Sequence, residues 1–181
     1  MKNEFVKLSG ILCIITLTAA LLLAGVNGLT EKKIAEASNR ASQDAMKSIF
    51  TDADGFDKLT DTIYEGKKNG ETVGYCVTVS ANGFGGKIKM IVGLTPEDKI
   101  EGIEILEHSE TPGLGAKSTS AEFENQFRGK NSALSVVKGK TDSEDEVSAI
   151  TGATITSRAV ANGVRAASDE LKKALTGGDK Q

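Results

Sequence analysis

The stretch SAITGATITSRAV, residues 148–160, sets the hydroxyls of Thr151, Thr154, Thr156 and Ser157 around Gly152 and Ala153, just ahead of an apolar helical pattern. The start of a helix presents backbone N–H groups without helical partners, together with the positive end of the helix dipole. An anion is therefore favoured there. Small residues at 152 and 153 let a bulky group approach the backbone, and the hydroxyls can donate to an anion or be esterified to it. Ser/Thr capping is the competing reading, because one such side chain ordinarily satisfies an orphan N–H. The residues alone leave both open.

A second stretch, HSETPGLG at 108–115, follows a strand-like run. Pro112 fixes its own φ, while Gly113 and Gly115 permit conformations closed to other residues. Leu114 is thereby held on a rigid turn, where it can press on a planar ring. The alternative is an ordered connection with His108 exposed at its edge. A third stretch, NGFGGKIKMIVGL, places glycines on both sides of Phe84. It has the look of a hairpin turn and lacks the spacing of a phosphate loop or a dinucleotide fingerprint.

Composition removes other chemistries. A net charge of −3, a pI near 5.3 and no basic block argue against a nucleic-acid partner, which needs clustered Lys and Arg. Two cysteines and one histidine cannot supply a four-thiolate cluster or a C-x-x-C-H haem site. His108 and Cys76 alone do not make a zinc site either, so no metal is expected. With no G-x-S-x-G, a serine hydrolase is disfavoured. Redox work by this chain would require an organic cofactor.

The elements that must position these stretches can be read by periodicity. LSGILCIITLTAALLLAGV, residues 8–26, carries no charge, and about 20 apolar residues cross a bilayer as a helix. Its length and the lack of a clear cleavage site favour an anchor over a signal peptide. Lys2 and Lys7 on one side and Lys32, Lys33 and Arg40 on the other nearly balance the positive-inside rule. TEKKIAEASNRASQDAMKSIF reads as a juxtamembrane helix, and TDADGF as a turn. DTIYEGKK, ETVGYCVTVSA, GKIKMIVGLT and KIEGIEILEH read as strands, and ALSVVKG as a further short one. SAEFENQFRG suggests a short helix with Phe123 and Phe127 as neighbours. The last helix carries an apolar stripe of Val160, Val164, Ala167, Leu171 and Leu175. The expected fold is α+β, with an N-terminal transmembrane helix and then a mostly antiparallel sheet packed with helices. The expected divisions are an anchor at 1–30, a juxtamembrane helix at 31–50, a domain at 51–176 and a polar tail at 177–181.

Taken together, a single anchor followed in order by GFGGKI, ETPGLG and TGATITS resembles the covalently flavinylated FMN-binding domain family. The resemblance covers essentially the whole chain. More closely, it is similar to the branch formed by the G subunits of Rnf electron-transport complexes, relatives of the C subunits of Na+-translocating NADH:quinone oxidoreductases. It implies that a flavin transferase moves FMN from FAD onto Thr154, leaving a phosphodiester. Thr151, Gly152, Ala153, Thr156 and Ser157 would then surround the attachment point. Glu110, Thr111, Gly113, Leu114 and Gly115 would form the turn against the ring. Ser148 stands where the family often has an acidic residue, with Asp145 and Glu146 close by. The implied role is electron carriage among the other subunits of a membrane complex that oxidises reduced ferredoxin, reduces NAD+ and translocates Na+ or H+. This makes the chain an electron-transfer component and not an enzyme by itself. The resemblance also places the flavin domain outside the cytoplasm. The rival readings are a flavinylated carrier for another extracytosolic reductase, and a non-redox anchored module whose motif is only a helix cap.

Overall fold

The computed structural model describes residues 2–177, so the expected polar tail lies largely outside the described residues. Two compact units divide the chain, one ending at Ala41 and the other beginning at Ser42. The first is helical. Helix α1, Lys2–Ile49, begins in it, and its apolar run leaves Leu12, Leu17, Leu21, Leu22 and Leu23 uncovered. That run is long and apolar enough to cross a membrane.

The second unit is built on a five-stranded antiparallel meander in sequence order: β1 (Gly55–Lys58), β2 (Ile63–Lys68), β3 (Glu71–Asn82), β4 (Lys87–Leu94) and β5 (Ile100–Glu107). Side chains alternate across the sheet, so each strand feeds two faces. Val77 and Val79 of β3 join Ile88, Met90, Val92 and Leu94 of β4 on one face, under the C-terminal helix Thr154–Gly177. Val160, Val164, Ala167 and Leu171 of that helix close the core. The expected stripe stops there: Leu175 is exposed, and Ala174 packs against the core instead.

The other face is covered by the last turns of α1. Ala45, Met46, Ile49 and Phe50 are buried with Cys76 and Ile91. Their seat is a trough of glycines that strand pairing brings into line, Cys76 pairing with Gly93 and Gly93 with Gly102. A Cβ on Gly93 would lie 2.3 Å from Ile49 Cγ2, and one on Gly74 would lie 2.4 Å from Phe50 Cζ. The glycines are what let the helix end approach the sheet so closely.

The turn expected at TDADGF is present at residues 51–54, and strand β1, which the sequence did not announce, follows it directly from Gly55. It has four residues and one apolar side chain, Phe56, so no alternation marks it. What holds it is pairing with β2 and a Lys67–Asp57 ion pair at 2.8 Å. The connection after β5 carries the short helix α2 (Ala121–Glu124), which tightens into a 3-10 turn at Asn125–Phe127. Phe123 and Phe127 meet edge to face with centroids 5.4 Å apart. Strands β6 (Ser135–Val137) and β7 (Glu146–Ser148) form a small parallel pair. Strand β7 delivers the chain to the start of the C-terminal helix, α3 (Thr154–Gly177).

Candidate functional site

The approach to α3 is fixed before the hydroxyls are reached. Val147 is fully buried, the Ser148 N–H donates to Gln126 Oε1 at 2.8 Å, and the Ala149 N–H donates to the Val137 carbonyl. A turn then closes from the Ala153 N–H to the Ile150 carbonyl at 2.9 Å. Gly152 takes φ +79°, and a Cβ there would stand 3.0 Å from Leu114 Cδ2. Both the left-handed backbone and the contact with Leu114 call for glycine.

The four hydroxyls divide into two pairs. Ser157 is buried; its Oγ donates to the Ala153 carbonyl and accepts the Ile150 N–H, both at 3.0 Å. Thr156 is 1% exposed and donates to Glu110 Oε2 at 2.6 Å. These two side chains hold the loop. Thr154 is half-buried and its hydroxyl makes no hydrogen bond to any described residue; Thr151 is exposed on the turn. None of the four caps the helix. The N–H groups of Thr154, Ile155 and Thr156 have no acceptor among the described residues, which leaves the helix start open to an anion.

The ETPGLG loop turns tightly, with the N–H groups of Leu114 and Ala116 both donating to the Thr111 carbonyl. Gly113 takes φ +78° on its outer side, facing open space. Leu114 is left 44% exposed. His108 is half-buried, not at an exposed edge, and its Nδ1 accepts the Glu110 N–H at 3.2 Å.

These segments enclose a cavity of about 380 Å³. Glu110, Thr111, Leu114 and Gly115 line one side, and Gly152, Ala153, Thr154 and Thr156 the other. Phe84 and Ile155 complete the wall. The volume falls in the range of small-molecule pockets, about 300–1,000 Å³. Phe84, Leu114 and Ile155 form an uncovered apolar rim beside a free hydroxyl and open helix N–H groups. An apolar ring joined to a phosphate suits that arrangement. Thr151, Gly113 and Ser157 are not part of this wall. Thr151 instead borders a separate cleft with Lys117, Gln126, Lys140 and Ser148. Phe84 and Ile155 were not among the expected contact residues. Their only signal in the sequence was an apolar side chain set between glycines or between hydroxyls.

Residues 83–169 match the model of the FMN-binding domain family, a span that runs from the glycine turn at Phe84 into α3 and so takes in every wall of the cavity. The chain is 34% identical over 180 residues to the G subunit of the proton-translocating ferredoxin:NAD+ oxidoreductase complex of Clostridium ljungdahlii, covering 98% of this chain and 96% of that one. It is 38% identical to the G subunit of the Na+-translocating ferredoxin:NAD+ oxidoreductase complex of Acetobacterium woodii, over 87% of each chain. Among solved structures it is similar to the C subunit of the Na+-translocating NADH-quinone reductase of Parabacteroides distasonis, with TM-score 0.54, 27% identity and 63% of this chain covered. It is also similar to NqrC of Shewanella oneidensis, with TM-score 0.55, 25% identity and 61% of this chain covered. The matches span 62% and 60% of those two chains.

Proposed function

The chain belongs to the family of G subunits of ion-translocating ferredoxin:NAD+ oxidoreductase complexes, and on that premise we propose that it carries FMN joined to Thr154 by a phosphodiester. As a member of that family with an FMN-binding domain, it serves electron transfer linked to ferredoxin:NAD+ oxidoreduction and ion translocation. The other subunits of the complex are its partners, and the apolar run of α1 associates it with the membrane.

The observation that carries the attachment is the free Thr154 hydroxyl at the mouth of an apolar cavity, beside unpartnered helix N–H groups. In the transfer, Thr154 Oγ forms a bond to the FMN-side phosphorus of FAD. The pyrophosphate bond breaks, AMP leaves with the displaced oxygen, and the hydroxyl proton goes to a base of the transferase. The remaining phosphodiester negative charge would face the start of α3, an interaction worth about 0.3–1 kcal/mol at an exposed helix end. Bound flavin supplies reversible acceptance and donation of electrons. The chain's own part is to hold the ring: Phe84, Leu114 and Ile155 exclude water from it, and Gly152 and Ala153 leave it room. The helix-cap reading is weakened because no hydroxyl of the motif caps α3.

The Leu114 contact can be tested separately from attachment. Leu114→Ala should leave the covalent bond and its stoichiometry unchanged while shifting the flavin's absorption maxima or its midpoint potential. Visible spectra and a redox titration check this, and no change in either would place the loop away from the ring.

We place the flavin domain on the extracytoplasmic side, where covalent attachment makes sense because lost FMN could not be replaced. Burial pushes the Cys76 thiol up to about 12, so it is a poor maleimide target, and replacing it and Cys13 by serine gives a clean background. A Lys173→Cys substitution on the exposed side of α3 should then label with an impermeant maleimide in intact cells. Labelling only after lysis would put the domain in the cytoplasm.

A further inference from the structure

Among the described residues Glu110 is the one buried acidic side chain, 6% exposed, and it lies where all three glycine- and hydroxyl-rich stretches meet. Its Oε1 accepts the Gly85 N–H at 2.9 Å, from the turn that carries Phe84. Its Oε2 accepts the Thr156 hydroxyl at 2.6 Å, from the first turn of α3. Both oxygens act as acceptors, as those of an ionised carboxylate do. The surrounding glycines make room for it. A Cβ on Gly83 would lie 2.2 Å from Oε1, and one on Gly115 would lie 2.4 Å from Oε2. None of the ion pairs among the described residues includes Glu110. The carboxylate therefore stands in the wall of an apolar cavity with no basic side chain paired to it among the described residues.

We propose that Glu110 is a positioning and tuning residue of the flavin site: its carboxylate clasps the Phe84 turn to the start of α3, and its charge holds the midpoint potential of the bound flavin low. This rests on the reading that Thr154 carries FMN. The clasp ties the turn of Phe84 to the first turn of α3, which carries Ile155, and it occupies the Thr156 hydroxyl, so that among the hydroxyls of the TGATITS motif Thr154 alone presents a free one to that cavity. Reduction loads electrons, and so negative charge, onto the ring. A fixed charge in a poorly solvated wall opposes that loading more than the same charge would in water.

Charge and clasp can be separated. In Glu110→Gln the amide oxygen accepts the Gly85 N–H, while the amide nitrogen donates to Thr156 Oγ, whose hydroxyl turns outward. Size and contacts are retained and the charge is gone. In Thr156→Val the charge remains and one arm of the clasp is lost. The full chain, coexpressed with the flavin transferase and purified in detergent, is examined for flavin fluorescence after denaturation and titrated spectroelectrochemically, with the electrode supplying the electrons. The expected result is wild-type flavin stoichiometry in Glu110→Gln with a midpoint potential shifted positive, and no comparable positive shift in Thr156→Val. An unchanged potential in Glu110→Gln would overturn the proposal, as would an equal shift in both variants. So would a Glu110→Gln chain without flavin, because the amide must hold the cavity as the carboxylate does. A wild-type chain without flavin would instead remove the parent reading.

Discussion

Replacing Thr154 by alanine should reduce covalent flavin from near one per chain to background, leaving a denatured band without yellow fluorescence. The expectation rests on how differently the motif's hydroxyls are placed. Thr156 is 1% exposed and bonded to Glu110, and Ser157 is buried between the Ala153 carbonyl and the Ile150 N–H. For either to accept the flavin it would have to break a buried hydrogen bond, and leaving a buried partner unsatisfied costs about 1–3 kcal/mol. Thr151 is free but borders the neighbouring cleft, not the apolar cavity. Thr154→Ser, which keeps a hydroxyl at the same place, should retain flavin and serves as the control for folding. Peptide mass spectrometry across residues 148–157 locates the modification in the wild-type chain. Flavin remaining on Thr151 or Thr156 in the alanine variant would refute the assignment.

Much of this frame was visible along the chain. Strands β2 to β5 announce themselves because β-branched residues recur between turn signals, and α3 because its stripe repeats at helical spacing. What stayed hidden depends on partners far apart in sequence. Strand β1 has a single apolar residue, and only its pairing with β2 defines it. Leu175 has the right spacing for the core, but it is exposed, and at that level of α3 the neighbouring Ala174 is the residue that packs against the core. Glu110 sits in a loop whose composition marks a turn, and nothing local reveals that its carboxylate reaches Gly85 and Thr156, 25 and 46 residues away. Likewise Gly74, Gly93 and Gly102 each look like a weak point in a strand. Only the register of β3, β4 and β5 turns them into a trough.

That trough leads to a second large effect. A soluble fragment beginning at Ser42 should fold and melt cooperatively, whereas one beginning at Thr51, the boundary suggested by the turn at TDADGF, should be unfolded or nearly so. The second fragment lacks Met46, Ile49 and Phe50, all less than 9% exposed, and uncovers Cys76, Ile91 and the glycine backbone beneath them. Burying each of those three large side chains is worth about 1.5–3 kcal/mol. Their sum is comparable to the whole net stability of an ordinary domain, about 5–15 kcal/mol. The uncovered face would also expose a flat apolar patch across three strands, which favours association between chains. Circular dichroism and thermal melting of the two fragments test the expectation directly. Within the longer fragment, Phe50→Ala should cost about 3–5 kcal/mol through the cavity it leaves. Gly93→Ala should destabilise from the opposite side, since its Cβ would sit 2.3 Å from Ile49 Cγ2. If the fragment from Thr51 melts within a few degrees of the longer one, the end of α1 merely rests on the sheet. The two substitutions should then be nearly silent, and the glycines of the trough would need another explanation.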